Sequence, residues 1–192
     1  MRGLKMKLSD AKHLFTLMTL LSPLLVMAQL EEFRAVKLTN VDSDILASHE
    51  NIASGMTYLK SINVNAVLVV VWNSSGSDGD HTLYPSEVMN SYFGRPIHPA
   101  YVNRDPLAEV ITEAHLRGIE VYPWFEMGFS TSYGQDGGYI LDAYPDWALE
   151  DVNGDLLVKN GFDWMSAINP EVQDFIMALT LEVVDNYDVD GI

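Results

Sequence analysis

The 192-residue chain contains no cysteine. Disulfides are therefore excluded, and so are a cysteine nucleophile and a lipid-modified cysteine at a processing site. Basic residues are scarce too: 11 Lys and Arg stand against 27 Asp and Glu, a formal net charge of −16. Residues 1–28 hold four of the basic residues and one of the acidic, so beyond them the balance is 7 to 26. A surface this acidic repels nucleic acid and anionic lipid and suits uncharged or cationic partners. A Gly-rich phosphate loop and a nucleophile elbow are both missing. The five histidines are scattered without metal-ligand spacing, so neither a metal nor a cofactor is expected.

The amino terminus carries a recognisable pattern. Arg2, Lys5, Lys7 and Lys12 form a basic start, and residues 14–28 form an uncharged, largely apolar run. That run is shorter than the ~20 apolar residues of a membrane span and contains Pro23. Val26-Met27-Ala28 places small residues where a signal peptidase reads. Residues 1–28 are thus expected to be a signal peptide. The protein would begin at Gln29 and be exported to the periplasm, cell surface or medium, with no stable membrane insertion after cleavage.

From residue 29 to 192 the pattern alternates between strand and helix. Residues 33–39 alternate as a strand does, and Ile45, Ile52, Met56, Leu59 and Ile62 recur at helical intervals. Residues 65–72 are apolar and β-branched, as in a strand covered on both faces. After a long loop over 73–103, Asp105 is a plausible cap and Pro106 a first helical residue, with Leu107, Val110, Ile111 and Ala114 as the buried stripe. A strand over 119–125 ends at Glu126, and a second long loop runs to about 169, with a helical turn at 145–149 and a tight turn at 151–154. The last helix starts at Pro170 and buries Val172, Phe175, Ile176, Leu179, Leu181 and Val184, and residues 188–192 open a fourth strand. Such alternation implies a parallel α/β sheet with right-handed crossovers. A (β/α)8 barrel and an open doubly wound sheet both fit.

Five ordered motifs carry a resemblance. They are Phe33-Arg-Ala-Val-Lys-Leu-Thr-Asn40, Leu83-Tyr-Pro-Ser-Glu-Val-Met89, Arg104-Asp-Pro-Leu-Ala-Glu-Val-Ile-Thr-Glu-Ala-His115, Pro123-Trp-Phe-Glu-Met-Gly-Phe129 and Tyr187-Asp-Val-Asp-Gly-Ile192. Together the chain resembles the family-10-like glycosyl hydrolases, bacterial exported proteins with a TIM-barrel catalytic domain. The resemblance implies a (β/α)8 TIM barrel, present as an incomplete amino-terminal half ending in the fourth strand, since a whole barrel needs ~250 residues. It also implies hydrolysis of O-glycosidic bonds in a polysaccharide or cell-wall glycan. The chain departs from the family at Lys37, where a Trp is usual, and lacks the Asp-rich segment that follows the Asp-Gly-Ile strand.

Glycoside hydrolysis generally uses two carboxyl groups, one kept protonated by a dry surrounding. Glu126 is the candidate acid/base, because chemistry collects at the carboxyl ends of parallel strands and Trp124 and Phe125 lie beside it. The alternative is a structural carboxylate that caps loop amides or pairs with Arg34. A second carboxylate is expected beyond residue 192. Asp188 and Asp190 begin a strand and so belong to the barrel floor. Trp72, Trp124, Trp147 and Trp164 lie at strand ends or in loops, where a ring stacks on a sugar or fills space. Of these, Trp72, Trp124 and Trp164 are the candidate substrate-binding rings. Asn40 and Asn73 are candidate ligands of sugar hydroxyls or else turn residues, and Asn169 reads as a helix cap. Segments 74–80 and 151–155 hint at calcium loops without completing the ligand pattern, and a surface turn is the simpler account. The rival in another class is a non-catalytic carbohydrate-binding barrel protein.

Overall fold

β2 (Ala66–Asn73) is the middle of the fold, because its apolar, β-branched sequence can be satisfied only with neighbours on both edges. β1 (Ala35–Leu38) pairs with it in parallel on one side, Val36 opposite Val67. β4 (Glu120–Phe125) pairs in parallel on the other, Val121 opposite Val67. The computed structural model describes residues 32–74, 79–126 and 128–192, so the signal-peptide expectation lies outside the described residues.

Two helices cover one face of this sheet. α1 (His49–Ser61) buries Ile52, Met56 and Leu59, and α3 (Pro106–His115) buries Leu107, Val110, Ile111 and Ala114 against Val67, Val69, Val71 and Val121. Their ends are fixed by local chemistry. Ser48 and Asp105 accept from Asn51 N (3.1 Å) and Ala108 N (3.0 Å), which satisfies amide groups that the first helical turn leaves unpaired. Gly118, at φ 61°, ends the α3 region and turns the chain into β4 while Ile119 N bonds Ala114 O. On the opposite face, strand alternation places Leu68 and Tyr122, both only partly buried. Ile45 and Ile62 fall outside α1. Ile45 precedes it and occupies space that a Cβ at Gly55 would need, and Ile62 is its largely exposed C-cap.

The two long loops prove to be structured. Residues 73–103 contain β3 (His81–Thr82), which is antiparallel to the end of β2, then α2 (Glu87–Phe93) and a 3-10 turn at Pro99–Tyr101. Residues 127–169 contain β5 (Ser130–Tyr133), α4 (Gly138–Ala143), β6 (Val158–Lys159) and β7 (Phe162–Trp164). The three strands form a separate antiparallel sheet in the order β5-β7-β6. Elements this short, with polar strands such as Ser-Thr-Ser-Tyr, are shorter than any window in which periodicity is visible. The expected turns at 145–149 and 151–154 are present.

α5 (Pro170–Asn186) starts at Asn169, whose side chain accepts from Glu171 N at 2.9 Å, the expected cap. It buries Val172, Phe175, Leu179 and Val183. Leu181 and Val184 are each 49% exposed, so the stripe is rotated from the expected one, as a 3.6-residue period over four turns requires. Val172, Phe175 and Leu179 join Trp72, Met89, Ile140 and Trp147 in a second core beyond the main sheet, while Val183 packs into the core of the main sheet. The expected fourth strand is not formed in 188–192. Asp190 N bonds Val121 O at 3.0 Å, and one such bond is not a ladder. Gly191 passes Tyr122 so closely that a Cβ would sit 2.8 Å from its ring.

Candidate active site

Three polar residues meet because the three parallel strands end together. Asn40 lies just past β1, Asn73 ends β2 and Glu126 follows β4. Asn73 Nδ2 donates to Asn40 Oδ1 at 2.7 Å and, at a long 3.4 Å, to Glu126 Oε2. Among the described residues, that long contact is the only hydrogen bond the Glu126 carboxylate makes. The alternative pairing with Arg34 is excluded by position: Arg34 precedes β1, and its Nε donates to Asn63 O at 2.5 Å, at the amino-terminal end of the sheet.

Glu126 opens on a pocket of about 270 Å³ lined by Val41, Asn73, Ser74, Glu126, Tyr133 and Phe162. The last two come from the small antiparallel sheet, and their rings meet edge to face with centroids 5.0 Å apart. Tyr133 is 56% exposed and lies over Gly161, where a Cβ would be 2.6 Å from its ring. Asp163 holds this sheet in place. Its buried Oδ2 accepts from Ser132 Oγ and from the amides of Gln135 and Gly137, both at 3.1 Å.

The tryptophans are placed differently from expectation. Trp72 is 0% exposed and packs edge to face on Phe175, so it offers no surface to a ligand. It is a core residue that also supports the site, since its Nε1 donates to Gly128 O at 3.1 Å, two residues past Glu126. The reason is that α2 and α4 of the insertions, together with α5, cover the end of β2 that the sequence pattern left open. Trp147 is likewise core, bonded through Nε1 to Glu171. Trp124 is partly buried, with Lys37 Nζ 4.4 Å from its ring centroid, and is not part of the pocket lining. Trp164 lies on β7 beside Phe162, also outside the lining, and its buried Nε1 has no hydrogen-bond partner among the described residues. Asn40, Asn73 and Glu126 are therefore brought together, and the expected tryptophan platform is not. Tyr133 and Phe162 occupy the aromatic wall instead, and no sequence signal marked them.

Behind the pocket lies a carboxylate in the 74–80 segment, which the sequence suggested as a surface turn or an incomplete calcium loop but which the fold buries. Asp80 is fully buried, and Ser74 Oγ and Ser130 Oγ donate to its two oxygens, the latter at 2.7 Å. Burial pushes its pKa up to about 6, against the opposing effect of the two serine hydrogen bonds, and the charges of Asp163 and Glu126 push the same way as burial. Asp is a common turn residue next to glycine, so nothing in the sequence distinguished it.

Asp190 is at the other end of the sheet, as expected of the floor. Its Oδ2 accepts from Val121 N (2.8 Å) and contacts His115 Nε2 (2.9 Å). Burial pushes Asp190 up, but the Val121 amide and His115 outweigh it and hold the carboxyl below its usual value. Asp188 is 3.8 Å from His115 Nδ1 and almost wholly exposed. Among the described residues no group of three or more His, Asp or Glu is arranged to hold a metal ion. Asp151 spends its carboxylate on the amides of Asn153 (2.7 Å) and Asp155 (3.1 Å), a closed turn.

Comparisons with known proteins bear on the fold and the family. The chain is 25% identical over 172 residues to glycosyl hydrolase DigH of Escherichia coli strain K12, covering 82% of this chain and 36% of that protein. It is 29% identical over 144 residues to glycosyl hydrolase YngK of Bacillus subtilis strain 168, covering 70% and 25%. The chain thus spans about a third or less of these relatives' lengths. In fold it is similar to the maltogenic α-amylase AmyB of Thermotoga neapolitana, with a TM-score of 0.56 and 16% identity over 84% of this chain and 38% of that one. This α/β likeness to glycosidases is consistent with part of a (β/α) barrel. The family model described as glycosyl hydrolase-like 10 matches residues 32–192, and the chain belongs to that family.

Proposed function

We propose that this chain is the amino-terminal part of an exported glycoside hydrolase of TIM-barrel type, acting on a polysaccharide or cell-wall glycan. The observation that carries the reading is Glu126: a carboxylate at the end of a parallel strand, almost free of hydrogen bonds, on a pocket with two asparagines nearby and an aromatic wall. Glu126 acts as acid/base, Asn73 and Asn40 bond sugar hydroxyls, and Tyr133 and Phe162 face the C–H side of a sugar ring. The barrel reading is supported by the parallel order β1-β2-β4 and by the partly exposed Leu68 and Tyr122 on the face away from α1 and α3. The chemistry needs a second carboxyl group facing the same bond, supplied by a later strand end of the complete barrel.

In the full-length protein, Glu126→Gln should lower glycan turnover by roughly 10²- to 10⁴-fold while changing affinity little. An unchanged turnover would remove Glu126 from the chemistry. A normal affinity in an unmodified protein that turns over no glycan would favour the non-catalytic carbohydrate-binding reading, which the single carboxylate lining the pocket among the described residues also fits.

A further inference from the structure

Ser74 immediately follows β2 and lines the pocket beside Asn73 and Glu126. Its hydroxyl is not free to turn. Ser74 Oγ donates to Asp80 Oδ1, Ser130 Oγ donates to Asp80 Oδ2 at 2.7 Å, and the two serine oxygens are 3.1 Å apart. Asp80 itself is locked: it is 0% exposed, its N bonds Thr131 O at 2.8 Å, and Tyr139 Oη donates to its main-chain oxygen.

A serine hydroxyl has one proton and two lone pairs. With Asp80 ionised, the protons of Ser74 and Ser130 are both committed to its carboxylate, so Ser74 can offer the pocket only lone pairs. With Asp80 protonated, the new carboxyl proton goes to one serine oxygen. When that oxygen is Ser74 Oγ, the proton Ser74 had given to Asp80 is released and can point into the pocket. No covalent bond changes; one proton enters from solvent and one hydrogen bond reverses direction.

We propose that Ser74 is a ligand-contacting hydroxyl of the Glu126 pocket, and that the buried Asp80 is a positioning residue that sets whether Ser74 accepts or donates there. The ligand class is a neutral glycan, whose hydroxyl groups can answer either polarity, and to that extent the inference rests on the carbohydrate reading. The ionisable groups around Asp80 are Glu126 after β4, Asp163 on β7, Tyr139 on α4 with Arg95 over its ring, and the neighbouring His81 on β3. Burial and the two acidic neighbours raise its proton affinity to about pH 6, where the reversal would operate.

The test is titration of three neutral probes, chitohexaose, cellohexaose and maltohexaose, into the full-length protein and its Ser74→Ala and Asp80→Asn variants between pH 5 and 7. Ser74→Ala should weaken the probe that binds by roughly 3- to 10-fold, the worth of one hydrogen bond. The unmodified protein's affinity should change through pH 6, and in Asp80→Asn that change should be absent. A merely structural Asp80 would alter stability and leave the shape of the pH profile as it was. In parallel, carboxyl ¹³C NMR of the ligand-free protein should show Asp80 titrating near pH 6, and higher in Ser74→Ala, because its anion has lost a donor. An unmoved midpoint, or binding that ignores Ser74→Ala, overturns the proposal while leaving the carbohydrate reading intact. Failure of the unmodified protein to bind any of the probes overturns the carbohydrate reading and this proposal with it.

Discussion

Glu182 on α5 joins two parts of the chain about ninety-five residues apart. Its carboxylate accepts from Tyr84 Oη (3.1 Å), Ser86 Oγ (2.6 Å), Glu87 N (2.7 Å) and Val88 N (3.0 Å). Ser86 is the cap of α2, so one side chain fastens the start of that inserted helix to α5. Glu182→Ala removes all four bonds, but their costs differ. Tyr84 keeps a second acceptor in Leu179 O at 3.3 Å, and the exposed Glu87 amide turns to water. The loss falls on Ser86 Oγ and the part-buried Val88 amide. Hydrogen bonds to a charged group are each worth about 1.5–3 kcal/mol, and the partial exposure of Glu182 places the total near the lower end, about 2–4 kcal/mol. For a domain of this size that lowers Tm by roughly 5–15 °C. Glu182→Gln keeps one acceptor oxygen and should lose about half as much. Urea unfolding followed by circular dichroism measures both, and Ser86→Ala combined with Glu182→Ala should be clearly less than additive, because the partners are shared. A Glu182→Ala variant within ~0.5 kcal/mol of the parent would show that the clamp contributes nothing, and the reasoning would fail.

Tyr133→Ala should weaken glycan binding with little loss of stability, because the ring is largely exposed in the pocket. Trp124→Ala should do the reverse and cost about 1–3 kcal/mol, less than a fully buried Trp; urea midpoints set beside glycan titrations separate the two, and the opposite ranking would return the sugar platform to Trp124. The raised pKa of Asp80 has a definite sign: its contribution to stability is fully present below the unfolded value near 3.8 and is lost as pH rises through about 6. The parent should therefore lose roughly 3 kcal/mol relative to Asp80→Asn between pH 3 and pH 7, and parallel urea midpoints over that range would contradict the assignment. Residues 29–192 expressed alone should associate, because Leu181 and Val184 on α5 are each half exposed and Leu68 and Tyr122, on the sheet face away from α1 and α3, are only partly buried; a monodisperse monomer by light scattering would refute this. On the signal-peptide reading, the mature protein should begin at Gln29 on amino-terminal sequencing, and retained Met1 would end that reading.

What the sequence determined by itself was the part of the fold governed by local and periodic rules. The Val-rich run of β2 reads as a strand covered on both faces, Asp105-Pro106 as the opening of a helix and Arg117-Gly118 as the end of one, and each is so in the structure. Because the carboxyl ends of parallel strands share an edge, Asn40, Asn73 and Glu126 were each legible as candidates there, and the pairing of β1 and β4 on either side of β2 then made them neighbours. The direction of Asp190 toward the floor follows from the same rule. What only the tertiary structure decided lies in the two insertions. Their strands of two to four residues are too short to show a period, and they are held by distant single groups: Asp163 for the turn after β5, and Glu182 for the start of α2. A contact between residues so far apart in sequence leaves no period to read. For that reason the aromatic wall came from Tyr133 and Phe162, while Trp72 went to the core. Asp80 was hidden on the same grounds. Its charge state depends on what the fold packs around it, and a turn aspartate in the sequence carries no mark of being buried.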